Sequence, residues 1–317
     1  MGRNWIRDWS LTVEGDKGSK TFVDLRIVFS IKQWHIQSPN MASFRIYNVS
    51  PDTRARFQNK EFKSVSFSAG YRDNIGVLFK GNIVQSIFGH ETAVDTYLDI
   101  FAADGQNGYQ GARVGKTLAA GWTPKDKAQV ALDALAPFGI TLGTNTLDLS
   151  QPKYPRGRPF IGMARDLLRQ VTLSAGGLWS IQNGVVKITP KSLDTGSSSA
   201  VKLTAATGLI GWPQQTQDGI VVRSLINPQL QPLMKITLDP SQVIAAQQDN
   251  NPVTGPGSTG NASLNQMGLR AGTYVIFHMD RFGDSRGQDW YDESLCIGQG
   301  GNLPTIQKDS GYTLGSQ

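Results

Sequence analysis

The sequence predicts a mainly β protein with a small α+β insert. Short stretches that alternate apolar and polar residues, separated by turn residues, run through both ends of the chain, while helical spacing occurs only between them. Composition points the same way. The 317 residues include 35 glycines, 39% hydrophobic and 18% charged residues, which suits cores built from short strands and does not suit a disordered chain.

The first region covers 1–104. Leu11–Glu14, Leu25–Ile31, Ser43–Tyr47, Val65–Ser68 and Ala93–Ile100 each alternate or nearly so, which gives one buried and one wet face per strand. Asn48, Pro51 with Asp52, Gly70 and Asp73-Asn74 supply the turns. Such a density of strands indicates a sandwich or a small barrel.

The pattern changes at Asp104-Gly105. Thr123-Pro124-Lys125-Asp126 reads as a helix start, with Thr123 as cap, Pro124 in the first turn and Asp126 reaching back. Val130, Ala131, Ala134 and Leu135 form its apolar face, and Pro137 with Gly139 ends it. A second helix is expected over Gly162–Thr172. Leu178–Ile188 reads as a hairpin around Asn183-Gly184, a dipeptide suited to the positive backbone angles of a type I′ turn. The insert therefore spans 105–194, with the run Asp194–Ser199 as its boundary.

Strands return in the third region, 195–299, at Val201–Leu203, Gly219–Leu225, Leu233–Leu238 and Gly272–His278. A polar loop is expected over 247–268, and 300–317 reads as a polar tail that a partner would order.

No run of about 18 apolar residues suggests a membrane span, and the N-terminal residues lack the apolar core of a signal peptide. The single Cys296 cannot form an internal disulfide or a cysteine zinc site. These observations lead one to expect a soluble chain made in a reducing cytoplasm. The net charge is +6, and residues 111–195 hold eleven Lys/Arg against five Asp/Glu, so the excess lies in the insert. Few aromatics, Tyr154, Phe138, Phe160 and Trp179 among them, interleave there, which argues against nucleic-acid binding as the main role.

Several segments, in order, resemble the phage baseplate hub family, the late-control and hub proteins of contractile tails, which is similar to the base of secretion-system spikes. Phe44–Ser50, with Tyr47 and Asn48, is similar to the family's first strand and turn. Gly70-Tyr71 and Leu78–Ile83, with Gly81, resemble its hairpin, and Asp104-Gly105 fits where its middle domain begins. Gly219–Pro228 carries Ser224, Leu225, Asn227 and Pro228 of a further segment. Gly272–His278 with Gly283-Asp284 and Trp290 resembles its ending, although the spacing from His278 to Gly283 is longer than the family pattern. The resemblance implies two tail-tube-like β-barrel domains flanking the α+β domain, and a homotrimeric ring that adapts a six-fold tail tube to a three-fold central spike. It further implies a virion location after assembly in the host cytoplasm. The implied partners are the tail tube protein, the central spike protein, the tape-measure protein and neighbouring baseplate proteins, with DNA only in passage through the channel. No cofactor and no catalytic residue are implied.

Enzymatic motifs are sparse. His35, His90 and His278 are far apart in sequence and lack metal-ligand spacing. His90-Glu91 reads as a surface turn. His278 with Asp280 and Asp284 is the best candidate for a metal or for acid–base chemistry, set against a simpler reading as a strand-end histidine bonded to turn carboxylates. Cys296 reads as a buried small hydrophobe. Gly105–Gly108 and Gly298–Gly301 read as turns and not as phosphate cradles. The loop Lys153–Arg158 reads as solvated. Two alternatives to a hub remain at this stage: a tail spike or host-surface carbohydrate-binding module using exposed tryptophans, and a cell-wall hydrolase.

Overall fold

The computed structural model describes residues 6–72, 74–193, 199–216, 219–239 and 272–298. The loop and tail expected at 247–268 and 300–317 lie outside them. The first region contains β1 (Arg7–Gly15), β2 (Gly18–Phe22), β3 (Ile27–Trp34), β4 (Met41–Tyr47), α1 (Pro51–Gln58), β5 (Phe62–Tyr71), β6 (Asn74–His90) and β7 (Thr96–Ala103). The insert contains α2 (Gln106–Gly111), β8 (Arg113–Leu118), α3 (Pro124–Leu135), β9 (Thr141–Asn145), β10 (Arg158–Met163), α4 (Ala164–Ser174), β11 (Gly177–Gln182) and β12 (Val185–Pro190). The last region contributes β13 (Val201–Lys202), β14 (Leu209–Gln215), β15 (Ile220–Leu225), β16 (Lys235–Thr237), β17 (Thr273–Asp284) and β18 (Trp290–Gly298).

The mainly β expectation holds, but the two β regions are joined. β3 pairs with β17, so strands of both ends form one 13-stranded sheet in the order β14-β15-β18-β17-β3-β4-β7-β6-β5-β1-β2, with β16 pairing β17 and β13. No closed barrel forms among the described residues. The sheet instead curls on itself. Phe29 of β3 meets Phe67 of β5 with ring centroids 4.6 Å apart, and the Arg7 guanidinium of β1 donates to the carbonyls of Asp284, Gly287 and Gln288 beyond β17. Strand alternation explains what fills the curl. Ile27, Phe29 and Ile31 face inward from β3, as do Leu11 and Val13 from β1 and Leu98 and Ile100 from β7, all 2% exposed or less. Burying each such side chain contributes about 1.5–3 kcal/mol.

The insert has its own core around Ala131, Leu135, Leu168, Trp179 and Ile188. α3 starts where the sequence predicts. The Thr123 hydroxyl accepts the Asp126 N–H, and the Asp126 carboxylate accepts the Thr123 N–H at 2.8 Å. The β11–β12 hairpin turns at Asn183 (φ 54°) and Gly184 (φ 81°). β9 adds to β12 in parallel.

Three local expectations change. Pro51-Asp52 is not merely a turn. Ser50 caps α1 there, because its side chain accepts the Thr53 N–H and proline suits the first helical turn. Gly105–Gly108 opens a helix after all, with Gly105 at φ 63° leading into α2. The helix expected from Gly162 begins at Ala164, since Gly162 still pairs with Val114 in the β8–β10 ribbon.

Candidate functional site

Consecutive strands bring three rows of side chains onto the solvent face of the sheet. One row runs Arg223, Glu293, Asp280, Lys32, Met41. The next runs Leu225, Tyr291, Phe282, Ser30, Ser43, Phe101, and the third runs Asp284, Val28, Arg45, Asp99, Ile87. A cavity of about 430 Å³ opens on this face, lined among others by Arg45, Tyr47, Asp99, Phe101, Phe282 and Asp284.

Two of its carboxylates, Asp99 and Asp284, are already paired with arginines. Arg45 grips Asp99 with two bonds of 2.7 and 2.8 Å, and Arg26 bonds Asp284 at 2.8 Å while lying over the Tyr47 ring. The bond from Arg26 holds the Asp284 carboxyl below the usual carboxylate range, and the bond to Asp99 raises Arg45. These groups stay charged at neutral pH. The face offers fixed charge, rings and hydroxyls, which suits recognition.

The trio His278, Asp280 and Asp284 does not assemble. His278 Nε2 bonds Asp280 Oδ1 at 2.9 Å, and its ring stacks on Trp34 with centroids 3.5 Å apart. Asp284 lies further along β17 and is taken by Arg26. No group of three metal-ligating side chains occurs among the described residues. His90 is exposed. Cys296 is fully buried, and burial pushes its thiol up, away from the reactive thiolate. Of the described tryptophans, Trp212 on β14 is 59% exposed, while Trp9, Trp122, Trp179 and Trp290 are buried.

The other residues singled out by the resemblance gather at two interior seams. At the first, the insert meets the sheet. Asp104, at the end of β7, accepts the N–H groups of Asn183 and Gly184 in the hairpin turn, the latter at 2.8 Å. Burial pushes its carboxyl up to about 6 against these bonds. Nearby, Asn40 donates to the Ile181 carbonyl and the Gln182 side chain, and His35 lies between the hydroxyls of Ser180 and Thr189 at 2.8 and 2.7 Å. Burial, with Lys187 adding to it, pushes His35 down to about 3, so the imidazole is neutral. Gly105 continues this seam into α2.

At the second seam the two β regions meet. Asn227 donates its N–H to Asp292 at 3.1 Å, and its carbonyl accepts from Arg281 at 3.3 Å. Pro228 lies against Gly76. Arg281 is 1% exposed and also bonds Asp292, Gln33 and the Leu230 carbonyl. Burial raises the Asp292 carboxyl and lowers the Arg281 guanidinium, each partly offset by the other's charge. Gly283 has no room for a side chain, because a Cβ there would lie 2.3 Å from the Phe29 ring. Trp290 packs edge-on to Phe29 at 5.3 Å. Ser224 is buried, and Leu225 packs against the core.

The remaining residues shape the first region. Tyr47 ends β4. Asn48 sits at φ 54°, where its side chain accepts the Thr96 N–H. Gly70 and Tyr71 end β5, where they pair with Ile75 and Asn74 of β6, and Gly81 lets β6 approach the Ala103 carbonyl. Sequence reasoning missed Arg281, Asp292, Gln33, Asn40 and the His35–Ser180–Thr189 contact. The signal for Arg281 and Asp292 was strand alternation, because each lies two positions from buried residues, Met279 and Trp290, on the inward face of its strand.

No protein-family model and no curated protein matches the sequence. Solved structures do. A 43 kDa tail protein of prophage MuSo2 from Shewanella oneidensis aligns over 93% of this chain and 98% of its own, at 9% identity and a TM-score of 0.56. A tail protein from Neisseria meningitidis MC58 aligns over the same shares at 9% identity and 0.55. A chain of the Francisella PdpA–VgrG complex aligns over 98% of this chain and 60% of its own, at 9% identity and 0.54. The fold described above is therefore shared with these two tail proteins and with a chain of a VgrG complex.

Proposed function

We propose that this chain is the structural baseplate hub of a phage tail, a homotrimeric ring that adapts the six-fold tail tube to the three-fold central spike around the ejection channel. The observation that carries this reading is the end-to-end likeness to two tail proteins, over 98% of each of their chains. It extends through the insert and is not confined to one β region. In this reading residues 1–104 and 195–299 are two tube-like units, 105–194 is the α+β unit between them, and 300–317 is a tail at the spike side. Two similar units per chain let three chains present six positions. The role is mechanical and needs no catalysis, which fits the paired charges of the sheet face. Tyr47, Gly81, Asp104, Asn227, Gly283 and Trp290 act here as framework residues at the seams and turns.

Light scattering over a range of concentrations tests it. The expected species has three times the 34.5 kDa chain mass and images as a ring with a central bore. A monomer at every concentration, with or without a candidate spike, sinks the trimeric hub. The exposed Trp212 favours a second reading, a host-surface carbohydrate-binding module. That reading predicts glycan binding which W212A abolishes.

A further inference from the structure

β6 is longer than the strand that covers it. β5 pairs with Asn74–Asn82, and β7 pairs with Asn82–His90 on the other side. Over Ile83–His90 one edge of β6 thus has no strand partner among the described residues. An open edge displays a row of backbone N–H and C=O groups ready to accept another strand. Open edges elsewhere in the sheet carry protection. β2 presents Lys20, and β14 is interrupted by a bulge and Pro213. Over this stretch β6 carries no lysine and no proline, and its one irregularity is the register shift against β7 between Ile83 and Gln85. No charged residue occurs from Asn82 to Gly89, and Val84 and Ile87 are 56% and 40% exposed.

A cavity of about 550 Å³ lies along this edge, between β6 and the end of α1. Phe57, Phe62 and Phe88 give it an apolar wall. Its charged lining groups are Lys60 and Lys63, and no carboxylate lines it. Lys63 bonds Asp16 in an exposed pair, which holds it only weakly. The Arg54 guanidinium, over the Phe88 ring at 5.2 Å, extends the positive rim. An extended segment laid here would meet main-chain groups on one side, apolar side-chain pockets beneath and cations above.

We propose that the free edge of β6 over Ile83–His90, with this cavity, docks an extended acidic segment of another protein by strand addition. Main-chain bonds would supply much of the affinity, and alternate side chains entering the cavity would supply selectivity. The lysines set the sign of the charge. This goes beyond the hub reading and does not depend on it, because trimer mass tests one and peptide binding the other.

The test uses the full chain and three short fluorescein-labelled peptides: one alternating Glu with Val and Thr, one with Lys replacing Glu, and one with Pro at alternate positions. Anisotropy should show the acidic peptide binding, with K60E weakening it about tenfold, the scale of one lost charge-assisted contact. Circular dichroism of K60E should match the parent. Hydrogen exchange should slow, when the acidic peptide binds, at those amides of Ile83–His90 that point away from β7. Equal binding by the Lys or Pro peptide, no binding at all, or protection elsewhere overturns the proposal. It also fails if these amides are already protected in the free chain, whether by a second copy (protection rising with concentration) or by residues 299–317 (protection lost on their removal).

Discussion

The two seams solve the same problem with different chemistry. At the junction between insert and sheet, a carboxylate, an amide and an imidazole are satisfied by backbone and hydroxyl partners, with no opposite charge in contact. At the junction between β regions, a buried guanidinium meets a buried carboxylate, and the strands on either side of the seam also share a main-chain ladder. A seam without an ion pair, built on a turn, can open by itself. The second seam cannot open without breaking β3 from β17 and taking Gln33 from the buried Arg281, so it belongs to the cooperative unit. The difference teaches that the insert is attached to the sheet, whereas the two β regions are one structure.

The comparison breaks most visibly at Arg281. R281M leaves the Asp292 carboxylate buried without its partner, and it should lower global stability by about 3–5 kcal/mol in urea denaturation. Adding D292L should recover most of that loss, because a buried pair replaced by apolar groups is often neutral. If R281M alone costs little, the second seam is not part of the cooperative unit. D104A should cost about 1–3 kcal/mol for two unmet N–H groups, and the effect should be local. Exchange should accelerate at Asn183 and Gly184 while the β3–β17 amides stay protected. Equal acceleration at both places would erase the distinction.

A pH series sharpens the first seam further. Asp104 is raised in the fold, to about 6, so the fold binds its proton more readily than the unfolded chain does. Its contribution is fully present below the unfolded value near 4 and is lost as pH rises through 6. His35 is depressed to about 3, so its contribution is present above about 6.5 and is lost as pH falls. The two slopes oppose each other between pH 4 and 6. Stability of D104N should therefore drop more steeply on acidification than that of the parent, by up to ~1 kcal/mol per pH unit. A parallel profile would show that Asp104 titrates normally. G184A, at φ 81°, should cost about 1 kcal/mol from backbone strain in the turn. The smallest effect is expected at the surface pair Arg223–Glu293, where R223A should change the melting free energy by less than about 1 kcal/mol.

What was legible in the sequence was local. The Thr123–Asp126 capping pair, the Asn183-Gly184 turn and the alternation in β3 and β7 are each encoded within a few residues; the first two form as read, and the two strands form but start at Ile27 and Thr96, later than Leu25 and Ala93. Cys296 is buried as its apolar surroundings suggested. What was not legible depends on partners distant in sequence. The overshoot of β6 past β5 follows from where β5 begins. The pairing of β3 with β17 joins strands from opposite ends of the chain, so the alternation that predicts each strand says nothing about its neighbour. Arg281 and Asp292 read as ordinary polar residues because only the curled sheet buries them together. The motif segments did mark both seams, through Asp104, Asn227, Gly283 and Trp290. They gave no hint that His278 and Asp284 would find different partners.

The ladder between β3 and β17 has a consequence for how the chain is made. Gln33 and Arg281, which meet beneath it, are 248 positions apart. At ribosomal rates of about 5–20 residues per second, β3 waits roughly 10–50 s before β17 emerges. During that time the flank of β3 that β17 will cover is an unfilled template, and contacts this distant in sequence slow folding further. Nascent chains are thus most exposed to mispairing late in synthesis. Weaker induction, which lowers the concentration of such nascent chains, should raise the soluble yield.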